Sequence, residues 1–129
     1  MRVTAKARNL SISAQKLRLV ANMVRGKKAN VALGELRFMP QKGALMVYDA
    51  ITSALANGTH NYNLNTANLF IAEIKVDQGS KLKRFKPRSR GMANAIEHPS
   101  AHLTVVLDEA SKENVKEVKT TPKKIKETK

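Results

Sequence analysis

"KLKRFKPRSRG", residues 81–91, gathers Lys81, Lys83, Arg84, Lys86, Arg88 and Arg90 into one run without an acid. On its N-terminal side, "LFIAEIKVDQG" (69–79) alternates like a strand, with Phe70, Ala72, Ile74 and Val76 set to one face and Glu73, Lys75 and Asp77 to the other. On its C-terminal side, "HLTVVLDE" (102–109) alternates again through Leu103, Val105 and Leu107 and reads as the antiparallel partner. The connection between the two, residues 79–101, is far longer than the two to five residues a hairpin needs. It is therefore expected to be the outer part of the hairpin, carried past the body as an arm.

Simple dimensions support that expectation. Kept extended from residue 75 to residue 90, each limb would reach about 50 Å at roughly 3.3 Å per residue. A body of some hundred residues has a radius of gyration of only about 13 Å. Alternation puts Leu82, Arg84, Lys86, Arg88 and Arg90 on one side and Lys81, Lys83, Phe85, Pro87 and Ser89 on the other. Both sides carry charge, so neither is suited to an apolar core. A two-stranded ribbon alone in water is marginal. The arm thus calls for an anionic partner that surrounds it, such as a folded RNA with a crevice. Arg toward the tip suits bidentate phosphate contacts and stacking on bases, and Pro87 discourages edge-to-edge pairing.

Working outward, "RVTAKARNL" (2–10) reads as a strand with Val3, Ala5 and Ala7 inward. "SISAQKLRLVANMVRGKK" reads as a helix capped by Ser13, striped by Leu17, Val20, Ala21 and Val24, and stopped at Gly26. A short helix is expected over 30–38, capped by Asn30 and closed before Pro40. A longer one is expected over 41–57, with Ala44, Val47, Ile51, Ala54 and Leu55 inward, ended by Gly58 and followed by an Asn-rich loop over 60–68. The fold class is α+β: three helices packed on a small three-stranded antiparallel sheet, with a long protruding β-hairpin arm. A single domain is expected over 1–109, arm included, with a charged tail over 110–129 that reads as disordered or as a frayed helix to about Lys119.

Composition narrows the function. The 129 residues contain no cysteine and no tryptophan, so the core must be aliphatic, and disulfides and thiolate chemistry are excluded. No apolar run reaches the length of a membrane span, and the N-terminus lacks the apolar stretch of a signal peptide. A cytoplasmic protein is expected, or an organellar one after processing. Twenty-four Lys and Arg stand against ten acids, a net charge of +14. Residues 1–107 hold 17 cations and 5 acids, whereas 108–129 hold 7 and 5, so the excess belongs to the folded part. Ahead of Glu35, the first acid, come eight cations. Such one-sidedness is best explained by a polyanionic partner.

Enzyme chemistry finds no footing. The acids Glu35, Asp49, Glu73, Asp77 and Glu97 are scattered over different elements, and "RGKKAN" lacks the spacing of a phosphate-binding loop. His98 and His102 are four apart, but Pro99 between them disfavours a helix and no third ligand is near. No metal and no cofactor are expected. Apart from the arm, the candidate RNA contacts are Arg8, Lys16, Arg18, Arg25, Lys27, Lys28 and His102, some of which meet RNA while the rest are solvated. A DNA-architectural protein with a basic β-arm is the alternative.

"KRFKPRSRG" followed by "SAHLTVVL", together with "SAQKLRLVANMVRGKK" (13–28) and "TSALANGTHN" (52–61), resembles the bacterial-type large-subunit ribosomal protein L twenty-two family over about residues 2–108. The resemblance implies a compact α+β body on the outside of the large subunit. It also implies a hairpin that runs through 23S ribosomal RNA to line the nascent-peptide exit tunnel, a part in subunit assembly, and contact with an extension of ribosomal protein L four. Its partners would be that RNA, neighbouring ribosomal proteins and the nascent peptide, with neither DNA nor membrane. Leu82 to Gly91 would be the outgoing limb, Arg88, Ser89, Arg90, Gly91 and Met92 the tunnel-lining tip, and His102 the polar position opening the return strand. The chain departs from the pattern at Met92, where relatives commonly place a cation, and at Glu97 and Pro99, where they tend to be basic.

Overall fold

A computed structural model describes residues 1–109, so the reading of a disordered or frayed tail over 110–129 lies outside the described residues. The elements run β1 (Arg2–Leu10), α1 (Ala14–Val24), α2 (Ala29–Phe38), α3 (Lys42–Tyr62), β2 (Leu69–Gln78), β3 (Leu82–Pro87), β4 (Ala93–His98) and β5 (Ala101–Glu109). The body sheet has the order β1-β5-β2 and is antiparallel throughout, while β3 and β4 form a separate two-stranded sheet. The expected α+β architecture, with three helices and a hairpin, is what forms. Among the described residues no helix is long and apolar enough to cross a membrane.

The core is aliphatic. Leu17, Val20, Ala21 and Val24 of α1 and Val47, Ile51 and Ala54 of α3 are buried against Leu103, Val105 and Leu107 of β5 and their neighbours on β1 and β2. Each of these follows the period of its element, so hydrophobic burial alone orients helices and sheet face to face. Among the described residues no polar or charged residue is buried.

Three expectations are corrected. On β2 the inward residues are Leu69, Ile71, Ile74 and Val76, whereas Phe70 and Ala72 are only half-buried. The register against β5 shifts between Ile71 and Glu73, and this bulge at Ala72 reverses the alternation that strict period two would give. Second, α2 starts at Ala29 and not at Asn30, because the backbone of Lys28 is held extended by a bridge to Phe70 and serves as the cap. Third, α3 runs through Gly58 to Tyr62 and stops at Asn63, which takes the left-handed conformation at φ 51°. Gly58 is buried inside the helix, facing Leu69 and Val3 with room for a methyl group, so it does not end the helix.

The outer edge of β2 is sealed by α1 and the turn after it. Gly26 N–H donates to Ile71 O at 3.0 Å and Ile71 N–H donates to Lys27 O at 2.9 Å. Farther along, Arg25 donates to Ile74 O at 3.0 Å and Arg18 donates twice to Val76 O, at 3.1 and 3.2 Å. An open sheet edge is a template for unwanted pairing, and here two guanidiniums and a turn occupy it.

Candidate nucleic-acid interface

The arm begins where the body ladder breaks. Gln78 pairs with Ala101 in the body sheet and Leu82 pairs with His98 in the arm, so residues 79–81 face residues 99 and 100 across an irregular joint. Pro99 has no N–H to continue a ladder. The joint is held instead by Gly79 N–H to Ser100 O at 2.8 Å and by the Ser100 hydroxyl, which donates to Ser80 O at 2.6 Å. Gly79 fits because its hydrogen faces Ser100 Oγ; a Cβ there would stand 2.4 Å from that atom. Since residues 75–78 belong to the body sheet, the free limb is shorter than the sequence suggested. Residues 82–87 reach about 20 Å at roughly 3.3 Å per residue before the tip turn, still longer than the body's expected radius of gyration.

Every residue of β3 is exposed, and β4 is exposed except for half-buried Ile96. Lys83, Arg84 and Lys86 lie on β3, and Lys81 before it is ion-paired with Glu97 at 3.1 Å. The tip turns over Arg88, Ser89, Arg90, Gly91 and Met92, closed by Arg88 N–H to Met92 O at 2.7 Å. Arg90 and Gly91 both take positive φ, at 60° and 68°, so the side-to-side alternation expected to run through Arg90 ends before the turn. Positive φ is uncommon outside glycine, and at Arg90 it serves the tight reversal.

The body candidates divide into two sets. Arg18 and Arg25 bond the β2 edge and Lys27 is paired with Glu35, so these three have structural work, whereas Lys28 sits at the α2 cap through its backbone alone and its side chain is exposed. His102 likewise has a structural partner, since its Nδ1 accepts from Asn9 N–H at 3.1 Å where β1 bulges. Arg8 and Lys16 are exposed and lie close to the root of the arm. Arg8, Lys6, His102 and Asp77 border one shallow depression there, and Lys16, Lys42, His98 and Ser11 border a second.

Lys6 and Lys42 are cations near the root that were not among the expected RNA contacts. Lys6 had a signal, because it shares the outward face of β1 with Arg8 between inward Val3, Ala5 and Ala7. Lys42 had a fainter one: a cation opens α3, the end where the helix dipole disfavours it. Its ammonium donates to Ser11 O at 3.0 Å.

The geometry is thus a small aliphatic body with an exposed cationic ribbon and further cations around its root. Over residues 5–108 the sequence fits the family described as ribosomal protein L22p/L17e. The chain belongs to this family. Similar relatives include the large ribosomal subunit protein uL22 of Chloroflexus aggregans, 48% identical over 111 residues that cover 86% of this chain and 98% of the relative. That of Syntrophotalea carbinolica is 50% identical over 109 residues, covering 84% and 99%. The protein named uL22c of Physcomitrium patens is 43% identical over 107 residues, covering 83% and 91%. Family membership makes the chain a ribosomal protein of the large subunit, as the resemblance implied, and not an enzyme, as the residues themselves suggested.

Proposed function

We propose that the protein binds 23S ribosomal RNA by threading its β3–β4 arm into a crevice of the folded RNA. In this reading the body rests on the outside of the large subunit in the cytoplasm, and the tip at Arg88–Met92 lines the nascent-peptide exit tunnel beside an extension of ribosomal protein L four. Binding at this depth requires RNA to close around the arm, which gives the protein its part in subunit assembly.

One observation carries the proposal: an exposed ribbon outside the core presents Lys83, Arg84, Lys86, Arg88 and Arg90 against a single acid, Glu97. Such a ribbon gains nothing from the body and much from phosphates on several sides. Lys6, Arg8, Lys16, Lys42 and Lys81 around its root extend the same field onto the body. The DNA-architectural alternative is the weaker reading, since family membership favours the ribosome.

Binding to protein-free 23S ribosomal RNA tests the reading. Affinity should fall steeply with salt, with a log–log slope of roughly −0.7 to −0.9 per neutralised phosphate. A flat response would overturn it.

A further inference from the structure

Directly opposed residues of an antiparallel pair share one face of the ribbon. The register sets Leu82 with His98, Arg84 with Ile96 and Lys86 with Asn94 on one face. On the other it sets Lys83 with Glu97, Phe85 with Ala95 and Pro87 with Ala93. The second face is charged only near the root, where Glu97 offsets Lys83 and is ion-paired with Lys81. Farther out it consists of Phe85, Pro87, Ala93 and Ala95, all exposed. The arm is therefore two-sided, cationic on one face and apolar on the outer half of the other. The expectation of charge on both sides holds only at the root.

Phe85 is 74% exposed. Its cross-strand neighbour Ala95 carries only a methyl group, too short to cover a ring, so Phe85 does not brace the hairpin as a larger partner would allow. The ring is a bare π-face bordered by a proline ring and two methyl groups. Its occupant must be apolar and planar at the ring and must belong to a partner that is anionic around the ribbon, because Lys83 shares the face of Phe85 one pair nearer the root while Arg84 and Lys86 leave the same strand to the opposite face. An apolar protein surface seated on the ring would have to take the neighbouring Lys83 out of water, which is costly, and would leave the cations of the opposite face without a partner. An unpaired nucleotide meets both demands, with a base for the ring and phosphates for the cations.

We propose that Phe85, Pro87, Ala93 and Ala95 form a stacking platform for one unpaired RNA base, with Lys83 on the same face and Arg84 and Lys86 on the opposite face meeting phosphates of the RNA that surrounds the arm. The proposal rests on the RNA-binding reading above and adds the kind of nucleotide this face takes.

The test uses the full chain and protein-free 23S ribosomal RNA. Phe85→Ala should weaken binding about 5- to 100-fold while leaving the salt slope unchanged. Phe85→Trp should restore it. The chain has no other tryptophan, so the same variant reports directly: its emission should be quenched by RNA without a blue shift. Thermal melting should be the same for all three proteins, since Phe85 makes no part of the core. If Phe85→Ala binds within twofold of the parent with the salt slope intact, the platform is refuted and RNA binding stands. Brightened, blue-shifted tryptophan emission would identify an aliphatic occupant and also refute it. If the parent chain itself shows no salt-dependent binding, both readings fall together.

Discussion

Consider the triple substitution Arg84→Ala, Lys86→Ala, Arg88→Ala. The three side chains stand on the exposed outer part of the arm, with Ile96, Asn94 and the tip turn as their neighbours across the ribbon and no acid opposite. If each neutralises one phosphate, removing all three reduces the log–log salt slope by about 2 to 3. Between ~50 and ~200 mM salt, the parent should then lose about 20- to 40-fold more affinity than the variant. Filter binding to 23S ribosomal RNA over a salt series reads both slopes directly. Melting should not change, because no core residue comes from β3 or β4. Parallel salt lines with a merely weaker intercept would show that these cations do not meet phosphates, and the threading argument would fail with them.

Three further outcomes are expected. Arg18→Ala combined with Arg25→Ala leaves the Ile74 and Val76 carbonyls to water, at a cost of about 1 kcal/mol each, and uncovers the β2 edge; lower urea midpoints and greater light scattering should follow, and unchanged values would contradict the edge seal. Gly58→Ala should raise stability by about 1 kcal/mol, since a Cβ would meet Leu69 at an ordinary 3.4 Å inside a helix; with about 2 cal/mol/K of unfolding entropy per ordered residue this is a rise of ~4 °C in melting temperature, and a fall would mean the site is overpacked. Burial alone would raise the Asp108 carboxyl, but the Met1 amine at 3.1 Å, the Glu109 N–H and Arg2 outweigh it and hold it below the ordinary carboxylate value. Its stabilisation is accordingly full at neutral pH and lost as the pH falls below that range, so the gap between parent and Asp108→Asn, at most about 1 kcal/mol, should close in acid. A gap that widened on acidification would reverse this sign.

The core was legible in the sequence because burial follows periodicity: Leu17, Val20 and Val24 at helical spacing and Leu103, Val105 and Leu107 in alternation each face inward as read. What escaped depends on pairing between distant segments. The bulge at Ala72 exists only against β5, and it turned Phe70 from an inward to a half-buried residue. Arg18 and Arg25 looked like free cations because nothing local shows that β2 lies at the edge of the sheet beside α1. The arm was legible as basic and long, but its two-sidedness was not, since the faces are defined only once Phe85 is set opposite Ala95. Lys42 was missed because the fold alone brings the start of α3 to Ser11 at the arm's root.

The joint at Gly79–Lys81 and Pro99–Ser100 makes the molecule modular. Nothing outboard of it supplies a buried side chain, so the arm's sequence is free to change without weakening the body. Selection on those residues must then come from whatever surrounds them, and the amino acids along the limb record the shape and charge of that surrounding cavity.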